Sequence, residues 1–179
     1  AYGRVLAEDI VTDRDLPPYD RATMDGIALK ASHATARTRD FPCEGMARAG
    51  DVVRTLKNPA NCIEIATGAV VPHGADAVVR YEDLERTPDG FQILLNSVRP
   101  GQNIHPMGSD ASKGTLALRA GVSIGSAEIG VLASVGKSRV PVRKLPKVGV
   151  VTSGDELVPV DQKPEAHQIR SSNGYAIAA

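Results

Sequence analysis

Glycine and proline interrupt this chain so often, 17 and 12 times in 179 residues, that long helices have little room to form. Proline biases the residue before it away from helix, and glycine supplies the backbone freedom that turns demand. What survives between the breaks is a series of short apolar runs, the pattern of strands and turns. Residues 5–11 read as a strand, and Pro17-Pro18 then forces an extended, stiff joint. Residues 26–30, 46–52, 61–65, 77–81 and 90–95 read as further strands, separated by turn signals such as Pro72-His73-Gly74 and Pro88-Asp89-Gly90. That spacing predicts a small β-barrel or sandwich over about residues 20–104.

Beyond Gly108 the period changes. Residues 126–135 place Ile129, Leu132 and Ala133 on one helical face, with Ser126 as N-cap and Gly136 as the stop. Residues 140–143 return as a strand and Pro146 breaks it. The run KVGVVT, residues 147–152, is continuous and apolar, the kind of strand buried in parallel sheets. A loop over residues 153–168 and a helix opened by Ser171-Ser172-Asn173 then begin a βαβ unit. The fold class expected is therefore mixed: a β module, then the truncated start of an α/β domain. The chain opens at Ala1 without Met and closes inside the apolar run 175–179, so it is expected to be a fragment of a longer protein.

Charge and composition narrow the partners. Lys and Arg number 21 and Asp and Glu number 21, so nothing pulls the chain toward nucleic acid or anionic lipid. Aromatics are scarce and Trp is absent, which argues against base-stacking platforms. No stretch approaches the roughly 20 apolar residues of a membrane span, and AYGRVLAEDI is no signal peptide. The chain reads as cytoplasmic. Cys43 and Cys62 match no zinc spacing and read as reduced, structural thiols.

Four turns could carry chemistry. Asp25-Gly26 follows the rigid Pro17-Pro18 segment; its carboxylate could hold a hard cation or orient a nucleophile, although a plain Asp-Gly turn is the commoner reason for such a pair. Thr67-Gly68 ends one strand and could offer a hydroxyl and N–H groups to an anion, or merely terminate the strand. Gly108-Ser109-Asp110 lies at the joint between modules. Thr152-Ser153-Gly154-Asp155-Glu156 follows the expected parallel strand, where open α/β sheets bind ligands. There is no GxGxxG, no P-loop and no GxSxG elbow, and the four histidines are too scattered for a zinc site.

In order and spacing, LPPYDRATMDGIAL, IATGAVVPHGADAVV, GQNIHPMGSDASKGTLAL, IGVLASVG, VGVVTSGDELV and QIRSSNGY resemble the MoeA/gephyrin family, which inserts molybdenum into molybdopterin. The resemblance spans nearly the whole chain. It implies an elongated linking domain from residues 1–19 and 109–145, an inserted β-barrel-like domain over residues 20–108, and the start of a pterin-nucleotide-binding α/β domain from residue 146. It also implies a homodimer that takes adenylylated molybdopterin from the enzyme that makes it. With molybdate and Mg²⁺, the family releases AMP and forms the molybdenum cofactor in a cleft between subunits. Asp25, Thr67, Asp110 and Glu156 match the family's reacting residues, with Asp25 and Glu156 toward the metal. Gly68, Ser153, Gly154 and Asp155 match its cofactor-binding positions.

Two departures stand out. Where family members often carry Asn-Ser ahead of the MDG motif, this chain has Arg21-Ala22-Thr23. Where they often carry a run of arginines, it has His105-Pro106-Met107, and a histidine supplies only one or two donors. The alternatives to catalysis are a scaffold or binding role, as gephyrin itself illustrates, and more remotely a metal-dependent nucleotide hydrolase.

Overall fold

The computed structural model describes residues 1–179. They form two compact units, Ala1–Val142 and Arg143–Ala179, and strands outweigh helices throughout.

The first unit runs through β1 (Ile10–Val11), β2 (Arg21–Ala22), β3 (Gly26–Leu29), β4 (Asp40–Ala47), β5 (Cys62–Ile65), β6 (Ala77–Arg80), β7 (Leu84–Arg86), β8 (Gly90–Ile93), β9 (Ile104–His105), β10 (Leu116–Leu118) and helix α1 (Ser126–Ser134). Six strands pair in the order β6-β3-β5-β4-β8-β7, an open sheet curled as a half-barrel. Only the β4–β5 pairing is parallel, and its register shifts between Cys43 and Met46. Every residue of β3 is buried because both faces of the sheet are covered. Side chains alternate along a strand. Ile27 and Leu29 accordingly join Phe41, Cys62, Val79 and Phe91 in one core, while Ala28 joins Ile63, Ile65 and Val78 in the other.

The expected strand over residues 46–52 is displaced. The chain pairs earlier, over Asp40–Ala47, because Asp40, Phe41 and Pro42 face Gln92, Phe91 and Gly90 of β8. Periodicity alone did not reveal that partner.

A third core, of Leu6, Ile10, Ile124, Leu132 and Val135, ties both ends of this unit together. Here the first expected strand shrinks to Ile10–Val11 paired with β10, plus single bridges from Val5 to Ser123 and from Leu6 to Val142. In α1, Gly125 is the N-cap rather than Ser126, and the Glu128 carboxylate accepts its N–H at 2.9 Å. The buried face carries Leu132 and Val135, whereas Ile129 is 43% exposed and Ala133 faces solvent. The helix is rotated from the expected face because Leu132 and Val135, not Ile129, reach Leu6 and Ile10.

The two chain crossings between this third core and the half-barrel run side by side. Leu16 bridges Ala111, Gly108 donates to the Pro17 carbonyl at 2.9 Å, Met107 donates to Asp20 Oδ1 at 2.7 Å, and β2 pairs with β9. Together they form one hydrogen-bonded ribbon.

In the second unit β11 (Leu157–Val158) pairs in parallel with β12 (Ile169–Arg170), followed by α2 (Asn173–Ala178). The expected strand over residues 147–152 does not form. That segment has no ladder partner, and Val148 and Val151 are 78% and 90% exposed. A parallel strand needs neighbours on the same sheet to satisfy its N–H and C=O groups, and no segment of this chain supplies them. No helix is long and apolar enough to cross a membrane.

Candidate functional site

The loop that joins β2 to β3 is clamped by segments distant in the sequence. Ala22 N–H donates to the Ala69 carbonyl at 3.0 Å, Gly68 N–H donates to the Ala22 carbonyl at 2.8 Å, and Thr23 N–H donates to the Asn103 carbonyl at 3.0 Å. Thr23, Met24 and Asp25 stay exposed, so the loop is held by its backbone while its side chains face solvent. Gly26 begins β3 so close to β6 that a Cβ there would lie 1.9 Å from the Val79 carbonyl oxygen. Glycine is therefore required beside Asp25 by packing.

Asp25 and Thr67, 42 positions apart, meet across this clamp. Asp25 Oδ1 accepts the Thr67 N–H at 2.7 Å and the Thr67 hydroxyl at 3.1 Å. The hydroxyl and amide that the sequence offered to an anion are thus turned onto a carboxylate, leaving Asp25 Oδ2 without a hydrogen bond. Gly68 adopts φ +82°, a left-handed conformation that suits glycine, and its N–H is already given to Ala22. Behind Asp25, its carbonyl accepts the Tyr81 N–H at 3.1 Å. The Tyr81 hydroxyl donates to Glu64, which also pairs with Arg86 at 3.2 Å. Burial, then the Glu64 carboxylate, push the Tyr81 phenol well above its ordinary range.

Asp110 reaches the same region through a relay. His105 Nε2 lies 2.8 Å from Asp110 Oδ1, and Arg21 Nη2 lies 3.1 Å from His105 Nδ1. A guanidinium can only donate, so Nδ1 must accept and the ring proton sits on Nε2, donated to Asp110. Arg21 and His105 are also the facing residues of the β2–β9 pair. Arg21, Ala22, Thr23, Thr67 and Gly68 line a cavity of about 270 Å³. Arg21 was missed as a site residue because its place depends on this cross-strand register, which no local signal announces.

In the second unit, Ser153, Gly154, Asp155 and Glu156 are exposed on the turn that precedes β11. The Glu156 carboxylate folds back over Gly154, where an added Cβ would lie 2.6 Å from Oε2. No group of three or more His, Cys, Asp or Glu side chains forms a ready-made metal cage. Cys62 is buried and Cys43 half-buried; both are free thiols, and burial first, then Cys43, push the Cys62 thiol strongly upward.

A family profile described as the MoeA N-terminal region, domains I and II, matches residues 1–136. The chain belongs to the MoeA family. A molybdopterin molybdenumtransferase of Synechocystis is 38% identical over 178 residues, covering 99% of this chain and 46% of its own length. The Bacillus subtilis protein of the same name is 35% identical, covering 98% of this chain and 43% of itself. A molybdopterin biosynthesis MoeA structure from Pyrococcus horikoshii superposes with a TM-score of 0.88 at 34% identity, over 99% of this chain and 48% of that one. The chain spans less than half the length of these relatives.

Proposed function

We infer that the full-length protein carrying this chain transfers molybdenum from molybdate to adenylylated molybdopterin, with release of AMP. The observation that carries this reading is the hydrogen-bonded Asp25–Thr67 pair at the edge of a solvent-open cavity, in a chain of MoeA ancestry. Thr67 fixes one carboxylate oxygen of Asp25 and leaves the other unpaired. Mg²⁺ commonly takes one or two carboxylates and completes its shell with substrate phosphates and water, so one oriented, unpaired oxygen fits that role. Asp25 would hold the ion, which when bound would neutralise phosphate charge and help AMP leave. Thr67 keeps the carboxylate oriented without spending the oxygen that faces outward. Glu156, Asp155, Ser153 and Gly154, on an exposed turn of the second unit, would contribute substrate contacts.

The protein would work in the cytoplasm as a homodimer, supplied by the enzyme that adenylylates molybdopterin. The test is turnover by the full-length protein given adenylylated molybdopterin, molybdate and Mg²⁺. Stoichiometric release of AMP that depends on molybdate supports the reading. Pterin binding without AMP release would favour a scaffold, and release independent of molybdate would favour a hydrolase.

A further inference from the structure

Thr67 cannot serve as the anion donor of the 270 Å³ cavity while its N–H and O–H are both engaged by Asp25. The neighbouring Gly68 and Ala69 amides are likewise engaged, by the carbonyls of Ala22 and Ala66. The cation lining that cavity is Arg21. Its guanidinium has five N–H donors in a planar fork. One contacts His105 Nδ1, and the side chain makes no ion pair with any carboxylate. A half-buried arginine without a carboxylate partner, held by a neutral acceptor, keeps both its charge and most of its fork for another ligand.

The relay behind it is built for aiming. Asp110 accepts from His105 Nε2, which leaves Nδ1 as an acceptor pointed at Arg21. The backbone pairing of Arg21 with His105 holds both side chains on one edge of the same short ladder. We propose that Arg21 is the oxyanion contact of this cavity, with His105 and Asp110 as the positioning residues that aim it. This rests on the function inferred above and names the group that recognises its anionic substrate. A planar fork suits a tetrahedral oxyanion, which either molybdate or the pyrophosphate bridge of the adenylylated pterin presents.

Steady-state turnover of the full-length protein tests this, with each substrate varied while the other is saturating. Arg21→Gln keeps an N–H for His105 but removes the charge. It should raise the KM for one anionic substrate about 10- to 100-fold with kcat nearly unchanged, since a contact made equally in ground and transition states moves KM alone. The substrate whose KM moves identifies the source of the oxyanion. Arg21→Lys should recover part of the loss. His105→Leu should raise the same KM severalfold, and His105→Gln, whose amide can both accept and donate, should restore it. An active wild-type protein in which Arg21→Gln leaves both KM values unchanged would overturn the proposal. Should the wild-type protein turn nothing over, the inferred function fails by itself. Titration with molybdate and with pyrophosphate, followed by the ¹⁵N signal of the Arg21 side chain, then decides the anion site: a saturable shift supports it and none overturns it.

Discussion

Replacing Gly26 with alanine separates packing from chemistry at the residue beside Asp25. The new Cβ would lie 1.9 Å from the Val79 carbonyl oxygen and 2.8 Å from Arg80 Cα, distances that real Cβ atoms essentially never show. These are backbone atoms of a paired strand, so no side-chain rotation relieves them. β3 and β6 must part by more than 1 Å where Gly26 faces Arg80, in a strand paired on its other side to Ile65 of β5. Overpacking of about 1–3 kcal/mol and one or two weakened ladder hydrogen bonds of about 1 kcal/mol each give a loss of about 2–5 kcal/mol. For a unit of this size that lowers Tm by roughly 6–20 °C. The control is Gly130→Ala in α1, where a Cβ meets nothing within 4 Å. It should raise stability by about 0.5–1 kcal/mol, the ordinary gain of alanine over glycine in a helix. Urea or thermal unfolding of both variants, followed by far-ultraviolet circular dichroism, provides the measurement. A Gly26→Ala protein that melts within about 2 °C of wild type would refute the close approach of β3 to β6 and leave Gly26 needed for function alone.

Asp25→Asn should keep the Thr67 hydrogen bonds through its amide oxygen, shift stability by less than about 1 kcal/mol, and reduce turnover by at least about 100-fold; paired melting and activity measurements check both halves. Glu44 accepts N–H groups from Lys57 at 2.8 Å, Asn58 at 2.9 Å and the Asn61 side chain at 3.0 Å, and the Lys57 contact leads in holding its carboxyl below the ordinary value. A depressed folded pKa contributes stability that is present above the unfolded value and lost as pH falls through the folded one. Glu44→Gln should therefore flatten the acid limb of the Tm-against-pH curve below about pH 4.5, and an unchanged limb would refute this role. Gly154→Ala should displace the Glu156 carboxylate and lower turnover, and because Gly154 adopts φ +157°, where a side chain is strained, it should also cost about 1–3 kcal/mol of stability, which melting and activity measured together check.

Local chemistry made much of this molecule legible from its residues. Glycine and proline spacing marked β3, β5, β6 and β8 because a short apolar run between breakers has few alternatives to a strand. The ordered motifs carried the MoeA relationship, and Asp25, Thr67 and Asp110 stood out individually as acid- or hydroxyl-bearing turns. What they do to one another was decided only by pairing between distant segments. The β2 segment lies against residues 67–70 and against β9, so Thr67 spends its donors on Asp25, and Arg21 enters the site through His105. The same cause explains the failures of local reading. The rotation of α1 depends on where Leu6 and Ile10 sit, and an apolar run such as residues 147–152 becomes a strand only where another strand can accept its hydrogen bonds. Propensity and motif are properties of neighbouring residues, whereas register, buried face and hydrogen-bond partner belong to segments that meet only once the chain has folded.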